Sequence, residues 1–266
     1  SNAGDNSNSG LTPEEPLKNI WHALLKMKSD SISPDTIILE NGNYAPSVGE
    51  KFPLSLKRDV SIKGKSKENT ILDAENVTYH LHGILCANNY TISNLTLKNG
   101  NGDNSAYIQG SAVLEKNNNV TFNNLLFTNN TGEYGKNCKI QDSRNFKIIN
   151  SDIIDNKGGS SFLFFNSVSD YDIFDTNYVI NCRFINNNPD TTESAFGSGL
   201  HFGSYIGEPE TFECVVINSL FVDNYGRNTH NGAQSVGVGT TDDARVYLIN
   251  CTLANNMSDN PDAAAI

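Results

Sequence analysis

Phe122-Asn123-Asn124-Leu125-Leu126-Phe127-Thr128-Asn129 and Ile148-Ile149-Asn150-Ser151-Asp152-Ile153-Ile154-Asp155 follow one pattern, and the pattern decides the fold. Residues 92–99, 179–186, 216–223 and 248–255 repeat it. An Asn stands at 94, 124, 150, 181, 218 and 250, at spacings of 30, 26, 31, 37 and 32 residues. Three positions after it comes a large apolar residue: Leu97, Phe127, Ile153, Phe184, Phe221 and Leu253. Five positions after it comes Asn or Asp: Asn99, Asn129, Asp155, Asn186, Asp223 and Asn255. Self-similarity at a period of a few tens of residues is the signature of a repeat architecture.

The residue types explain the pattern. A bend of one residue between two strands needs left-handed backbone, which Asn adopts at little cost. Stacked windings place each such Asn about 4.8 Å above the last, close enough for side-chain amides to form a ladder. Strand alternation turns the apolar residue three places on toward the interior. It does the same for the residue next to the Asn, which is small in Ser151, Cys182, Ser219 and Cys251. Each repeat is thus expected to be a strand, a sharp bend and a second strand.

A third strand precedes each pair, with candidates at residues 83–86, 112–115, 138–141, 162–165, 199–202 and 235–238. Three strands per winding describe a triangular solenoid of about seven coils. The variable length of each winding is expected in loops at the other two corners.

Composition agrees. The 266 residues include 39 Asn, a residue suited to tight turns and poor in helix interiors. The formal net charge is −11 and the sequence pI about 4.8, which excludes a typical nucleic-acid binder. No apolar run approaches a membrane span. The five Cys (Cys86, Cys138, Cys182, Cys214, Cys251) form neither a CxxC pair nor a disulfide framework and read as small core residues.

The repeat resembles that of the right-handed parallel β-helix, the pectate-lyase-like superfamily, over roughly residues 36 to 266. The beginning carries a narrower resemblance. Pro16-Leu17-Lys18-Asn19-Ile20, Asp35-Thr36-Ile37-Ile38-Leu39, Asn41-Gly42-Asn43-Tyr44, Gly49-Glu50-Lys51-Phe52-Pro53-Leu54, Val60-Ser61-Ile62-Lys63-Gly64 and Thr70-Ile71-Leu72-Asp73 are similar to the opening coil of a bacterial extracellular β-helix family without an established function. The resemblance implies an all-β fold, a single-stranded right-handed parallel β-helix, with secretion or surface display.

Residues 16–28 form an amphipathic pattern with Leu17, Ile20, Trp21, Leu24 and Leu25 on one stripe. A solenoid exposes the edge of its first coil, and this helix is expected to cap it. Ser1-Asn2-Ala3 reads as the scar of a cleaved expression tag, and residues 1–10 as a flexible leader. Residues 11–266 are then one domain. Asp262-Ala263-Ala264-Ala265-Ile266 reads as the first strand of another coil, so either the natural chain continues or an unusual cap is expected.

In the superfamily, sites lie on the wall made by the first strand and its flanking loops. Alternation places Glu115, Lys139, Gln141 and His201 outward on that wall, and the loops add Asp142, Arg144, Lys157, Arg227 and His230. A lyase there would use Lys139 or His201 as base, with Arg144 or Arg227 stabilising the enolate. An ordinary polar surface is the alternative. Acidic loops follow: Asp170, Asp172 and Asp175, then Glu208, Glu210 and Glu213, then Asp242 and Asp243. Stacked at one corner, their carboxylates suit Ca2+, which bridges to uronate in pectate-lyase-like enzymes. Without metal they are a solvated edge. His80 and His82 flank one residue, so on a strand both would point the same way. Asp152 and Arg183 occupy equivalent outward positions one coil apart and read as a surface ion pair.

The chain departs from the named enzymes. The Trp-Ile-Asp-His segment of pectate lyases, the paired Asp motifs of polygalacturonases and the Gly-x-x-Asp-Phe-Ile-Phe-Gly segment of pectin methylesterases are missing. The function expected is a module that binds or cleaves an acidic polysaccharide. The alternative is an adhesive stalk of the same stiff architecture, without catalysis. A monomer with a polysaccharide partner is expected.

Overall fold

A computed structural model of the chain describes residues 1, 3–84, 87–102, 111–132, 136–157, 160–166, 176–187, 199–204, 213–226, 237–241 and 245–258. It is a right-handed parallel β-helix with one short helix, Ile20–Lys26, near its start.

Three walls run the length of the solenoid. The first stacks seven parallel strands: Leu54–Ser55, Leu81–Ile84, Ala112–Glu115, Lys136–Gln141, Ser160–Asn166, Leu200–Ser204 and Val238–Thr241. The second runs from Asp35–Leu39 and Val60–Gly64 through the first halves of Tyr90–Lys98 and Val120–Thr128. It continues as Lys147–Ile149, Asn177–Ile180, Glu213–Ile217 and Arg245–Ile249. The third begins at Gly42–Tyr44 and Thr70–Asp73, takes the second halves of the two long strands, and ends with Asp152–Ile154, Arg183–Ile185, Leu220–Val222 and Thr252–Ala254.

The expected bends are present. Asn94, Asn124, Asn150, Asn181, Asn218 and Asn250 all hold positive φ, between 49° and 56°. Asn124 donates to Asn94 Oδ1 at 3.0 Å, Asn181 to Asn150 at 3.1 Å, and Asn250 to Asn218 at 2.7 Å. The ladder steps sideways once: Asn150 donates to Asn123 Oδ1, whose strand position pairs with the adjacent Ile149. The acidic or amide residue five positions on forms a second file of left-handed bends, φ 52–57° from Asn99 to Asn255. A third file, Asp59, Asn89, Asn119 and Asn145, turns the corner between the first and second walls. Its amide donors reach the residue below at 2.8–3.0 Å.

A further ladder lies inside. Asn130, Asn156, Asn187 and Asn224 are at most 1% exposed. Each donates its side-chain amide to the Oδ1 of the next member, ending on Asn256, at 2.9–3.0 Å. That same oxygen also accepts the backbone N–H of the residue below, at 3.1–3.2 Å. Each amide of this inner file is therefore satisfied by the windings next to it, which removes the cost of placing it in an apolar core.

The rest of the core is apolar and aromatic. Phe162, Phe164, Phe184, Phe202 and Phe221 are fully buried, and Phe184 stacks on Phe221 with centroids 4.7 Å apart. Cys138, Cys182 and Cys214 are buried free thiols. Burial pushes the Cys182 thiol up to about 12.

At the start, the Glu50 carboxylate accepts the backbone N–H groups of Ile20 at 2.8 Å and Trp21 at 3.0 Å, satisfying donors the first helical turn leaves open. Residues 1–10, read from the sequence as a leader, bond back along the same segment: the Ser1 amino group to Leu17 O, Asp5 N to Pro16 O, and Asn6 Nδ2 to Asn19 Oδ1.

Candidate functional site

The first wall carries the polar groups. Its strand register sets two outward files. One runs through Ser55, His82, Val113, Lys139 and His201; the other runs through Ile84, Glu115, Gln141 and Gly203. Between them the inward residues Cys138, Ile140, Phe162, Phe164, Leu200 and Phe202 are buried. Alternation thus puts Lys139, Gln141, Glu115 and His201 on the outer side. Lys139 and His201 share a file two windings apart, about 9.6 Å.

The environment separates them. Lys139 is half-buried, and burial holds its ammonium below the usual lysine range, against the opposing pull of Glu115 and Asp142. His201 is only 5% exposed although it lies on an outward file. Arg144 sits at the corner beyond the wall, its backbone N–H donating to Asn117 O and its carbonyl accepting from Asn119 N. Asp142 is buried, at positive φ, and accepts from Gln141 Nε2 at 3.2 Å.

His82 joins this cluster, one winding below Glu115. The Tyr79 hydroxyl lies 2.6 Å from its Nδ1. Burial lowers the His82 imidazole and Glu115 opposes that shift. In the sequence, spacing links His82 only to His80. The two rings do not share a direction, because His80 precedes the strand Leu81–Ile84 in a bend and is fully buried, with Nε2 donating to Lys98 O at 2.9 Å. His82 alone faces outward. The missed signal was that His82 stands in the file of Lys139, visible once strands 81–84, 112–115 and 138–141 are laid in register.

Of the other expected residues, Arg227 lies outside the described residues. So do Asp170, Asp172, Asp175, Glu208, Asp242 and Asp243, the carboxylates read as a Ca2+ rim. Among the described residues no group of three or more His, Cys, Asp or Glu is arranged to hold a metal ion, and no helix is long and apolar enough to cross a membrane.

Elsewhere, Asp152 accepts from Arg183 Nε at 2.6 Å and from Lys67 Nζ at 2.9 Å. Burial alone would raise its carboxyl, but the hydrogen bonds from Arg183 and Lys67 hold it below the usual carboxylate range.

Solved structures share the winding. A pectin methylesterase from Yersinia enterocolitica aligns over 93% of this chain and 93% of its own, at 13% identity and TM-score 0.42. A PL6 alginate lyase in complex with trisaccharide aligns over 89% of this chain and 56% of its own, at 14% identity and TM-score 0.45. A rhamnogalacturonan lyase aligns over 96% and 86%, at 15% identity and TM-score 0.42. Similarities this low transfer no residue role. No curated protein matches the sequence. A family profile does, over residues 2–199, which is most of the chain. The protein belongs to the family described as protein of unknown function (DUF1565).

Proposed function

We propose that the first wall binds an extended acidic glycan, and that the module works outside the cytoplasm or at the cell surface. The observation that carries this reading is Lys139. A half-buried ammonium stands mid-wall, on a straight file of seven parallel strands, with His82, Glu115 and Gln141 around it. Such a wall suits a linear polymer, and a partly desolvated cation interacts with carboxylate more strongly than one in water. Arg144 at the neighbouring corner adds a second positive charge. The carboxylates read as a Ca2+ rim would serve the same polymer by bridging its uronates through the ion.

Affinity electrophoresis through polygalacturonate and through alginate, with and without calcium, tests the reading. Retardation of the wild type that Lys139→Ala relieves is expected. The same mixtures read in the ultraviolet show whether binding leads to eliminative cleavage, in which the neutral amine form of Lys139, favoured by burial, would take the proton. No retardation in either polymer, with or without calcium, would end the proposal.

A further inference from the structure

The second wall changes character along its length. In the second to fourth windings its outward residues are polar (Ser61 and Lys63, Thr91 and Ser93, Thr121 and Asn123), while the first winding places Thr36 and an exposed Ile38 in the same files. In the last four windings the same two files become Lys147, Tyr178, Val215 and Tyr247, and Ile149, Ile180, Ile217 and Ile249. These side chains alternate with inward ones; they are half-buried in the first three of these windings and exposed in the last, Tyr247 at 45% and Ile249 at 50%. Four isoleucines stacked in register on the outer side of a solenoid, three half-buried and Ile249 exposed, make a partly exposed apolar stripe, and an apolar stripe outside the core marks an interaction surface.

The dimensions select an occupant. Four strands and two files cover on the order of a few hundred Å2, well short of the ~800 Å2 per partner of a standard protein interface. The stripe is narrow, flat and parallel to the solenoid axis. Its two tyrosines are separated by two windings, ~9.6 Å. In an extended β-1,4-linked glycan successive sugars are flipped, so every second sugar presents the same face, at about that repeat. Polar groups in and beside the stripe offer hydroxyl contacts: Lys147, which begins the tyrosine file and whose ammonium lies 5.7 Å from the Tyr178 ring centroid, and Glu213, which accepts from the Tyr247 hydroxyl at 3.3 Å. The two files are apolar apart from Lys147, which favours an uncharged polymer over a uronate.

We infer that Tyr178 and Tyr247, with the isoleucine file beside them, form a second binding surface that stacks the apolar faces of a neutral, extended β-linked glycan. The first wall then takes the charged polymer and the second wall an uncharged one.

The test uses the whole chain. Sedimentation with microcrystalline cellulose and with chitin, and affinity electrophoresis through hydroxyethyl cellulose, are compared for wild type, Tyr178→Ala, Tyr247→Ala, the double variant and Lys139→Ala. Each single tyrosine variant is expected to bind about 3- to 10-fold more weakly, the range of one lost aromatic stacking contact. The double variant should not bind, and Lys139→Ala should bind as wild type does. Circular dichroism confirms that the variants fold. Failure of the wild type to bind any of these polymers, or undiminished binding by the double variant, overturns the inference. So does concentration-dependent dimerisation that Tyr247→Ala abolishes, because the wall then belongs to a second copy of the chain. Loss of binding to uronate polymers by Lys139→Ala bears on the first wall alone.

Discussion

Lys67 Nζ lies 2.9 Å from Asp152 Oδ2 although the two residues stand 85 positions apart. Lys67 belongs to the turn between Val60–Gly64 and Thr70–Asp73, and Asp152 is reached three strands further along the third wall. The Lys67 carbonyl accepts from Thr96 Oγ1 at 2.7 Å, which holds the turn against the next winding. Asp152 also binds Arg183 one winding above. The carboxylate thus ties together windings that otherwise touch only their immediate neighbours.

Removing the carboxylate should therefore cost more than removing either cation. Asp152→Asn leaves two cations without a counter-charge, and a loss of about 1–3 kcal/mol is expected; Lys67→Met should cost about 1 kcal/mol or less, because half of the interaction survives. Urea unfolding of the two single variants and of the double variant gives the coupling. Additive losses would show that the contact is not energetically coupled. The folded-state carboxyl lies below its ordinary value, so its contribution is present above the usual carboxylate range and is lost as the pH falls through the folded value.

The interior amides predict a sharp contrast. Asn187 Oδ1 accepts from Asn156 N and Nδ2, while its own Nδ2 donates to Ile153 O and Asn224 Oδ1. Asn187→Asp removes both donors and buries a carboxylate, so a loss of about 3 kcal/mol or more is expected. Asn181→Asp, on the exposed ladder, should cost about 1 kcal/mol. Chemical denaturation of the pair at neutral pH checks the ordering, which fails if the two losses are equal.

His80 predicts an acid-side slope. Burial lowers its imidazole from 6.5 to about 4 in the folded chain. Between those values the unfolded chain takes up a proton that the folded chain refuses, so stability falls as the pH drops from 6.5 toward 4, by about 1.4 kcal/mol per unit. Above 6.5 the contribution is complete. Gln at position 80 keeps an N–H for the Lys98 carbonyl and does not titrate. Unfolding curves for wild type and His80→Gln at pH 7.5 and 4.5 should show a flatter dependence in the variant, and parallel slopes would refute the assignment.

Glu50→Ala should loosen the cap. The carboxylate holds the N–H groups of Ile20 and Trp21, and Lys51 lies 4.4 Å over the Trp21 ring. A loss of about 1–2 kcal/mol is expected for removing such a helix cap. Trp21 is the single Trp, so its fluorescence reports the change directly. An unshifted emission would place the capping energy elsewhere.

How much of this was legible in the sequence follows from which contacts are local. Asn124, Leu125 and Phe127 announce a bend and an inward face within four residues, so the walls and the outer file could be read directly. The inner file could not. Asn130 and Asn156 look misplaced in a core until the winding above supplies their acceptors, although the doublets Asn129-Asn130, Asp155-Asn156, Asn186-Asn187, Asp223-Asn224 and Asn255-Asn256 were its signal. Lys67 carries no pattern at all, because its partner lies three windings away. At the site, alternation sets the outward direction of Lys139 and His201. Their exposure depends on what packs over the wall, and alternation carries no information about that.

The distance from each bend Asn to the second left-handed residue is five positions in all six repeats, while whole windings vary from 26 to 37 residues. The short stretch between the two bends acts as a fixed ruler, and all slack sits elsewhere on the circumference. One residue added inside the ruler would throw a strand out of register with both neighbours and turn its inward side chains outward. Several residues added at another corner only lengthen a loop. A lineage built on this plan can therefore remodel the surroundings of its first wall by insertion and deletion while the scaffold underneath stays the same.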